Sequence, residues 1–231
     1  MAVEAHSTAT LRLTVGDLRI VHPITVPSAP VPATGVVPAL QGLVNAVVAA
    51  AEAGKPVSCR KGCGACCRQL VPVSRTEAER LLGVVEALPA RRREALAARF
   101  ATAEEILEGA GLADCRRQKS DRELSLAYFA LRIPCPFLEE ESCSIHPERP
   151  LVCREYLVTS PAELCAGPAQ EGVTPVAVPK VSMAARGLQD ENDDWLPLAL
   201  LMSWARTRPQ GGVRRTGPEW VQRFLKGIGR K

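Results

Sequence analysis

Eight of the nine cysteines in this 231-residue chain fall into two ordered groups. The first is Cys59-x3-Cys63-x2-Cys66-Cys67, four thiols within nine residues. The second is Cys135-x7-Cys143-x9-Cys153-x11-Cys165. A folded chain spreads buried side chains over several faces, whereas a metal gathers its ligands on one tight turn. Spacings of two and three residues let the backbone wrap a cation with its N–H groups turned toward the sulfurs. Gly62 and Gly64 suit that wrap, because glycine accepts positive φ and close backbone approach. Arg60, Lys61 and Arg68 flank the turn and are expected to lower thiol pKa and offset thiolate charge.

The adjacent pair Cys66-Cys67 constrains the chemistry further. Neighbouring side chains diverge, so the two thiols either serve different sites or include one that bridges metals in a polynuclear cluster. Either arrangement recruits the second group in space and gives an eight-thiolate region. The competing reading is a set of buried or disulfide-bonded cysteines. It is disfavoured because no secretory signal is visible and a reducing cytoplasm is the expected compartment. Cys115 stands apart in a polar Arg-Arg-Gln-Lys context and reads as a free thiol.

Three stretches together resemble a known family: Cys59-Arg-Lys-Gly-Cys63-Gly-Ala-Cys66-Cys67, Cys135-Pro-Phe-Leu138, and Cys143-Ser-Ile-His146-Pro-Glu-Arg149-Pro150-Leu-Val-Cys153-Arg154. They look like the YkgJ-type cysteine-cluster family, also described as the CxxCxxCC zinc- or iron-chelating domain. The resemblance runs from about Val57 to Cys165. It implies that Cys59, Cys63, Cys66, Cys67, Cys135, Cys143, Cys153 and Cys165 are the family's metal ligands. The first spacing here is x3 where the family's nickname has x2. A related protein, flagellin lysine methylase, carries this type of cluster as an iron–sulfur site. The cofactor implied is therefore an iron–sulfur cluster of the 4Fe–4S type, ahead of zinc. No glycine-rich S-adenosylmethionine loop is present, so methyltransferase activity is not carried over.

Arg149 and Arg154 flank Pro150 and Cys153. Pro147 and Pro150 fix the backbone on entry to a helical turn, so the two guanidiniums can neutralise cluster charge or hold an anionic partner. Surface salt bridges are the alternative for both. His146 reads as structural rather than as a ligand, since eight thiolates already suffice.

These ligands need elements to position them. Leu11 to Val15 and Leu18 to Val21 alternate around Gly16-Asp17, which predicts a β-hairpin. Pro23, Pro27, Pro30, Pro32 and Pro38 then predict an extended, mobile connector. The division expected is a hairpin appendage with linker over 1–38 and a cysteine-cluster domain over 39–231, its motif core at 57–165. Leu40, Leu43, Val44, Val47, Val48 and Ala51 predict an amphipathic helix, interrupted by polar residues and too short to span a bilayer. Ser74-Arg-Thr-Glu77 and Ser120-Asp-Arg-Glu123 are capping boxes for two further helices, and Leu96 to Ala110 predicts another between them. Ser160-Pro161 reads as a helix start. Residues 173–181 read as extended, and Trp195 to Ala205 and Pro218 to Leu225 read as helices. The fold class expected is mainly α with minor β, a helical domain with a loop-rich eight-cysteine region.

Composition narrows the function. Apolar residues make up 46% and charged residues 23% of the chain, which excludes wholesale disorder and collagen-like repeats. Net charge is +4, too mild to mark a nucleic-acid binder. The stretch 206–231 carries eight basic residues against Glu219 alone and reads as a solvated amphipathic helix. Arg91-Arg92-Arg93 reads as a solvated face, and the acidic run 190–194 as a helix flank rather than a calcium loop. No phosphate-binding glycine loop, hydrolase serine elbow or paired-histidine motif appears, so no catalytic residue is assigned. The partners expected are a metal ion or cluster and a protein redox partner, with neither membrane nor nucleic acid. Three functions follow: an iron–sulfur protein in electron transfer, a structural zinc module, or a thiol–disulfide switch. The polynuclear spacing argues against the third.

Overall fold

Alternation of apolar and polar residues builds the N-terminal ribbon. Strands β1 (His6–Val15) and β2 (Leu18–Pro27) pair antiparallel from Val15↔Leu18 to His6↔Pro27. Gly16 turns the chain at φ +58°, where a Cβ would be strained. The computed structural model describes residues 5–113, 121–167, 172–189, 195–208 and 211–228. Cys115, Ser120 and the acidic run 190–194 lie outside these residues.

Ile20, Ile24 and Val26 point from β2 into the same apolar core as Leu40, Leu43, Val44 and Val47 of α1 (Val37–Glu52). The ribbon therefore shares its core with the main body. The proline-rich stretch is pinned as well. It forms β3 (Val31–Pro32) and the 3₁₀ turn Ala33–Val36, which leads directly into α1. With that turn the helical run Ala33–Glu52 is long and apolar enough to cross a membrane by length and composition. In the fold its apolar face is the centre of the first core, where Leu43 and Val44 are fully buried.

After the first cysteine group come β4 (Pro72–Ser74), α2 (Arg75–Glu86) and α3 (Ala90–Gly109). Ser74 caps α2 as the sequence predicts, with both halves of the capping box formed. Helix α4 (Asp121–Ala130), the two-residue strands β5 (Leu138–Glu139) and β6 (Ser142–Cys143), and the short helix α5 (Leu151–Glu155) follow. The final elements are β7 (Trp195–Pro197), α6 (Leu201–Thr207), β8 (Arg214–Arg215) and α7 (Gly217–Gly227).

Two expected helices differ. Trp195 to Pro197 form a strand against β4, registered Ser74↔Trp195 and Pro72↔Pro197, and the α-helix begins only at Leu201. The helical spacing of the apolar residues was overridden by a tertiary partner, a strand edge waiting at β4. Ser160 does not cap the next turn. Its hydroxyl accepts the Thr174 N–H at 3.0 Å, and Pro161 stands at the N-cap of the 3₁₀ segment Ala162–Ala166.

The apolar interior divides into three clusters. The first joins β2, α1 and α7, with Trp220 and Phe224 fully buried. The second joins α2, α3, Phe137 and α6, with Phe100 edge-on to Phe137 at 5.5 Å. The third gathers Leu107, Leu124, Tyr128 and Trp195. Cys59 packs on the first cluster, whereas Cys135 and Cys143 pack on the second.

Candidate metal centre

Each thiol is set by a local device. Ser58 anchors the run into the first group, its N–H donating to the Val158 carbonyl at 3.0 Å and its hydroxyl reaching the Val158 and Ser160 carbonyls. Gly62 then turns at φ +86°, and the Cys63 N–H closes on the Arg60 carbonyl at 3.1 Å. Gly64 serves differently. Its φ is −96°, but a Cβ there would lie 2.7 Å from Leu138 and 3.1 Å from the Glu141 Cα. Of the two glycines expected to aid the wrap, one supplies the conformation and the other the close approach. The 3₁₀ turn Ala65–Arg68 then carries Cys66 and Cys67.

The second group is stitched onto this turn. The Cys135 N–H donates to the Cys67 carbonyl at 2.7 Å. The β5–β6 hairpin turns through Glu140 and Glu141, both at positive φ (49° and 54°), the conformation of a two-residue type I′ turn normally given to Asn and Gly. Arg68 holds that turn with two bonds to Glu141, at 3.0 and 2.6 Å, and a third to the Gly64 carbonyl. Arg92 and Arg99 both reach Glu139 on the hairpin's other side. Cys153 rides in the first turn of α5. The Leu151 N–H of that turn donates at 2.8 Å to Glu77, the same buried carboxylate that completes the α2 capping box. Cys165 sits on Ala162–Ala166, with its carbonyl held by Gln69 Nε2 at 3.2 Å and its sulfur 3.9 Å from the Tyr156 hydroxyl.

Seven of the eight cysteines line one cavity of about 470 Å³, and the eighth, Cys165, is buried behind Tyr156 on its wall. All eight are free thiols. Cys66 is central, within electrostatic reach of Cys59, Cys67, Cys135, Cys143, Cys153 and Cys165. Space also regroups the sequence order. Cys165 neighbours Cys59 and Cys63, while Cys153 neighbours Cys135 and Cys143. Among the described residues, no three His, Cys, Asp or Glu side chains converge at the spacing one metal ion needs. Tetrahedral zinc with bonds of about 2.3 Å would draw its sulfurs to about 3.8 Å of one another. These thiols instead surround a volume.

Without metal six of the thiols resist ionisation. Burial pushes Cys135 up to about 12 and raises Cys59, Cys143, Cys153 and Cys165 as well. Cys66 is raised first by its hydrogen bond with Cys67 and then by burial. Arg149 opposes this at Cys59, Cys66, Cys143 and Cys153, joined by Arg154 at Cys143. Arg68 lies within electrostatic reach of Cys67, as expected, and also pairs with Glu141. Arg154 lies within electrostatic reach of Cys143 and Cys153 and helps to lower the pKa of Cys143, while its hydrogen bonds go to the surrounding loop. Its guanidinium is bound by Asn45 Oδ1 and the carbonyls of Pro147 and Arg149, and the side chain is buried. It therefore braces the loop that presents Arg149. His146 is exposed and pairs with Arg149 Nη1 at 2.9 Å.

The donor set fits a soft metal. Thiols dominate, and Glu52 is the one carboxylate among the lining residues. Residues 58–167 match the family described as CxxCxxCC, putative zinc- or iron-chelating domain. No curated protein and no solved structure matches the chain.

Proposed function

Taking residues 58–167 as a metal-chelating CxxCxxCC domain, we propose that the eight cysteines hold an iron–sulfur cluster and that the protein transfers electrons. One observation carries this reading. The thiols are distributed around a cavity of about 470 Å³ instead of converging on a point, and a polynuclear cluster has that demand for space. When bound, such a cluster supplies reversible one-electron transfer.

The chain's own residues then have distinct tasks. Cys66, at the centre of the set, is the thiolate best placed to touch both the Cys59–Cys63–Cys165 side and the Cys135–Cys143–Cys153 side. Tyr156 donates toward the Cys165 sulfur, the kind of outer contact that orients a ligand and tunes its basicity. Apolar neighbours such as Val57, Phe137 and Leu157 limit water at the site. A reducing compartment, the cytoplasm, suits eight free thiols. A protein redox partner is part of the same reading.

The test is anaerobic purification followed by the visible spectrum and iron, sulfide and zinc analysis. Broad absorption that bleaches on reduction, with iron and sulfide present, supports the proposal. Colourless protein with stoichiometric zinc refutes it. Cys63→Ser and Cys153→Ser should lose metal and Cys115→Ser should keep it.

A further inference from the structure

The rim of the cavity carries positive charge that no carboxylate among the described residues meets. Arg60, Lys61 and Arg149 stand along its rim, and among the described residues none of them forms an ion pair with a carboxylate. Arg149 is held in place on one side only. Its Nη1 bonds to His146 at 2.9 Å, while its Nε is buried with no acceptor. A buried N–H directed at nothing is uncommon and calls for an explanation. A guanidinium only donates, so an unprotonated ring nitrogen of His146 accepts the Arg149 N–H, and partial desolvation followed by the charge of Arg149 lowers the pKa of that ring. Opposite this rim the wall is apolar, with Val57 and Leu157.

The shape discriminates between occupants. The cations stand on a concave wall, the form that small-molecule sites take, beside the space the metal reading gives to the cluster. Protein partners instead meet broad patches of about 800 Å² a side. We propose that this cavity binds a small organic oxyanion, a carboxylate or phosphate on an apolar body, with its head on Arg149, Arg60 and Lys61. The proposal rests on the metal reading only in placing that ligand beside the metal.

Metal-loaded protein is titrated calorimetrically with hexanoate and with inorganic phosphate, and metal content is measured on the same samples. Saturable binding of either probe is expected, weakened severalfold at unchanged metal content in Arg149→Lys, which keeps the positive charge facing the thiols but loses the planar guanidinium donors. Arg60→Ala/Lys61→Ala, which alters exposed side chains, should weaken binding severalfold and gives an independent arm. Tighter hexanoate marks a carboxylate ligand, and tighter phosphate marks a phosphoryl one. Metal-loaded protein that binds neither probe, or binds equally in all variants, overturns the proposal. So does metal loss in the charge-preserving Arg149→Lys, which would assign the guanidinium itself to the metal. Wild-type protein that takes up no metal would fail the metal reading instead.

Discussion

Glu77→Ala should be the most damaging polar substitution near the metal centre. Glu77 is only 6% exposed, and its carboxylate serves two helices at once. One oxygen accepts the Ser74 N–H at 3.1 Å and the Ser74 hydroxyl at 2.8 Å, closing the cap of α2. The other accepts the Leu151 N–H at 2.8 Å, at the start of α5. Alanine leaves two buried backbone donors without acceptors, at about 1–3 kcal/mol each. Removing a buried charge offsets part of that loss, so a net destabilisation of about 2–4 kcal/mol is expected. For a chain of this length about 1 kcal/mol moves Tm by roughly 2–4 °C, which gives a fall of roughly 4–16 °C.

The same motif occurs a second time as an internal control. Thr216 and Glu219 form a complete capping box at α7, with Glu219 exposed, Thr216 half-buried and, among the described residues, no bond from the carboxylate to a second helix. Glu219→Ala should shift Tm by under about 2 °C. Because α5 carries Cys153, Glu77→Ala should also reduce metal retention, and Glu219→Ala should not. Burial raises the pKa of Glu77 in spite of its three hydrogen bonds. The folded state thus holds that proton more tightly than the unfolded chain, and stability falls as pH rises from about 4.5 through the raised value. Glu77→Gln should flatten that slope, leaving the part due to Glu155, which burial also raises. Differential scanning fluorimetry across pH 4–8 reads both effects. Equal Tm shifts for the two alanine variants would refute the claim that burial and the Leu151 bond distinguish these boxes.

Three other predictions concern the thiols. Gly64→Ala should push the β5–β6 hairpin off the Cys66–Cys67 turn, lowering metal content while far-UV circular dichroism is retained, at about 1–3 kcal/mol in a denaturant melt; unchanged metal content would show that the hairpin yields. Metal-free, reduced protein should lose stability as pH rises above about 9, because Cys135 and Cys153 ionise later in the folded state than in the unfolded chain; a Tm flat between pH 8 and 10.5 would count against buried neutral thiols. Chelation should increase hydrogen exchange in 57–69 and 135–155 far more than in β2 and α7, and uniform protection loss would show that the metal holds the whole chain rather than the seam.

Local signals in the sequence survived wherever local physics decided the outcome. The Ser74–Glu77 box, the amphipathic stripe of α1 and the Gly16 turn need only near neighbours, and each formed as read. The Thr216-x2-Glu219 box carries the same signal, inside a stretch whose charge and Pro218 alone already read as a helix. What could not be read was pairing at a distance. Nothing near Trp195 announces the β4 edge, and nothing near Arg68 announces Glu141, 73 residues away. The thiols follow the same division. Their membership in one site was legible from spacing, but the company each keeps was not. Cys165, last in sequence, lies beside Cys59 and Cys63 because Gln69 and Ser58 tie the two segments together.

That tie bears on how the cores of the chain are joined. Among the described residues its interior is three modest apolar clusters and not one, and the chain has nine aromatics to fill them. The thiol cavity lies on the seam between the first two clusters. Val48, Val57 and Leu157 wall it from one side, and Phe137, Ile145 and Leu198 from the other. A void at such a position loses dispersion contacts from both walls. On the metal reading proposed above, thiolates bonded to a common metal group would replace those contacts with much stronger ones and fix the relative placement of the two cores. Metal affinity and the packing of the seam are therefore one coupled quantity. Residues that touch no metal, such as Gly64, Glu77 and Arg154, should influence metal retention through the geometry of the seam.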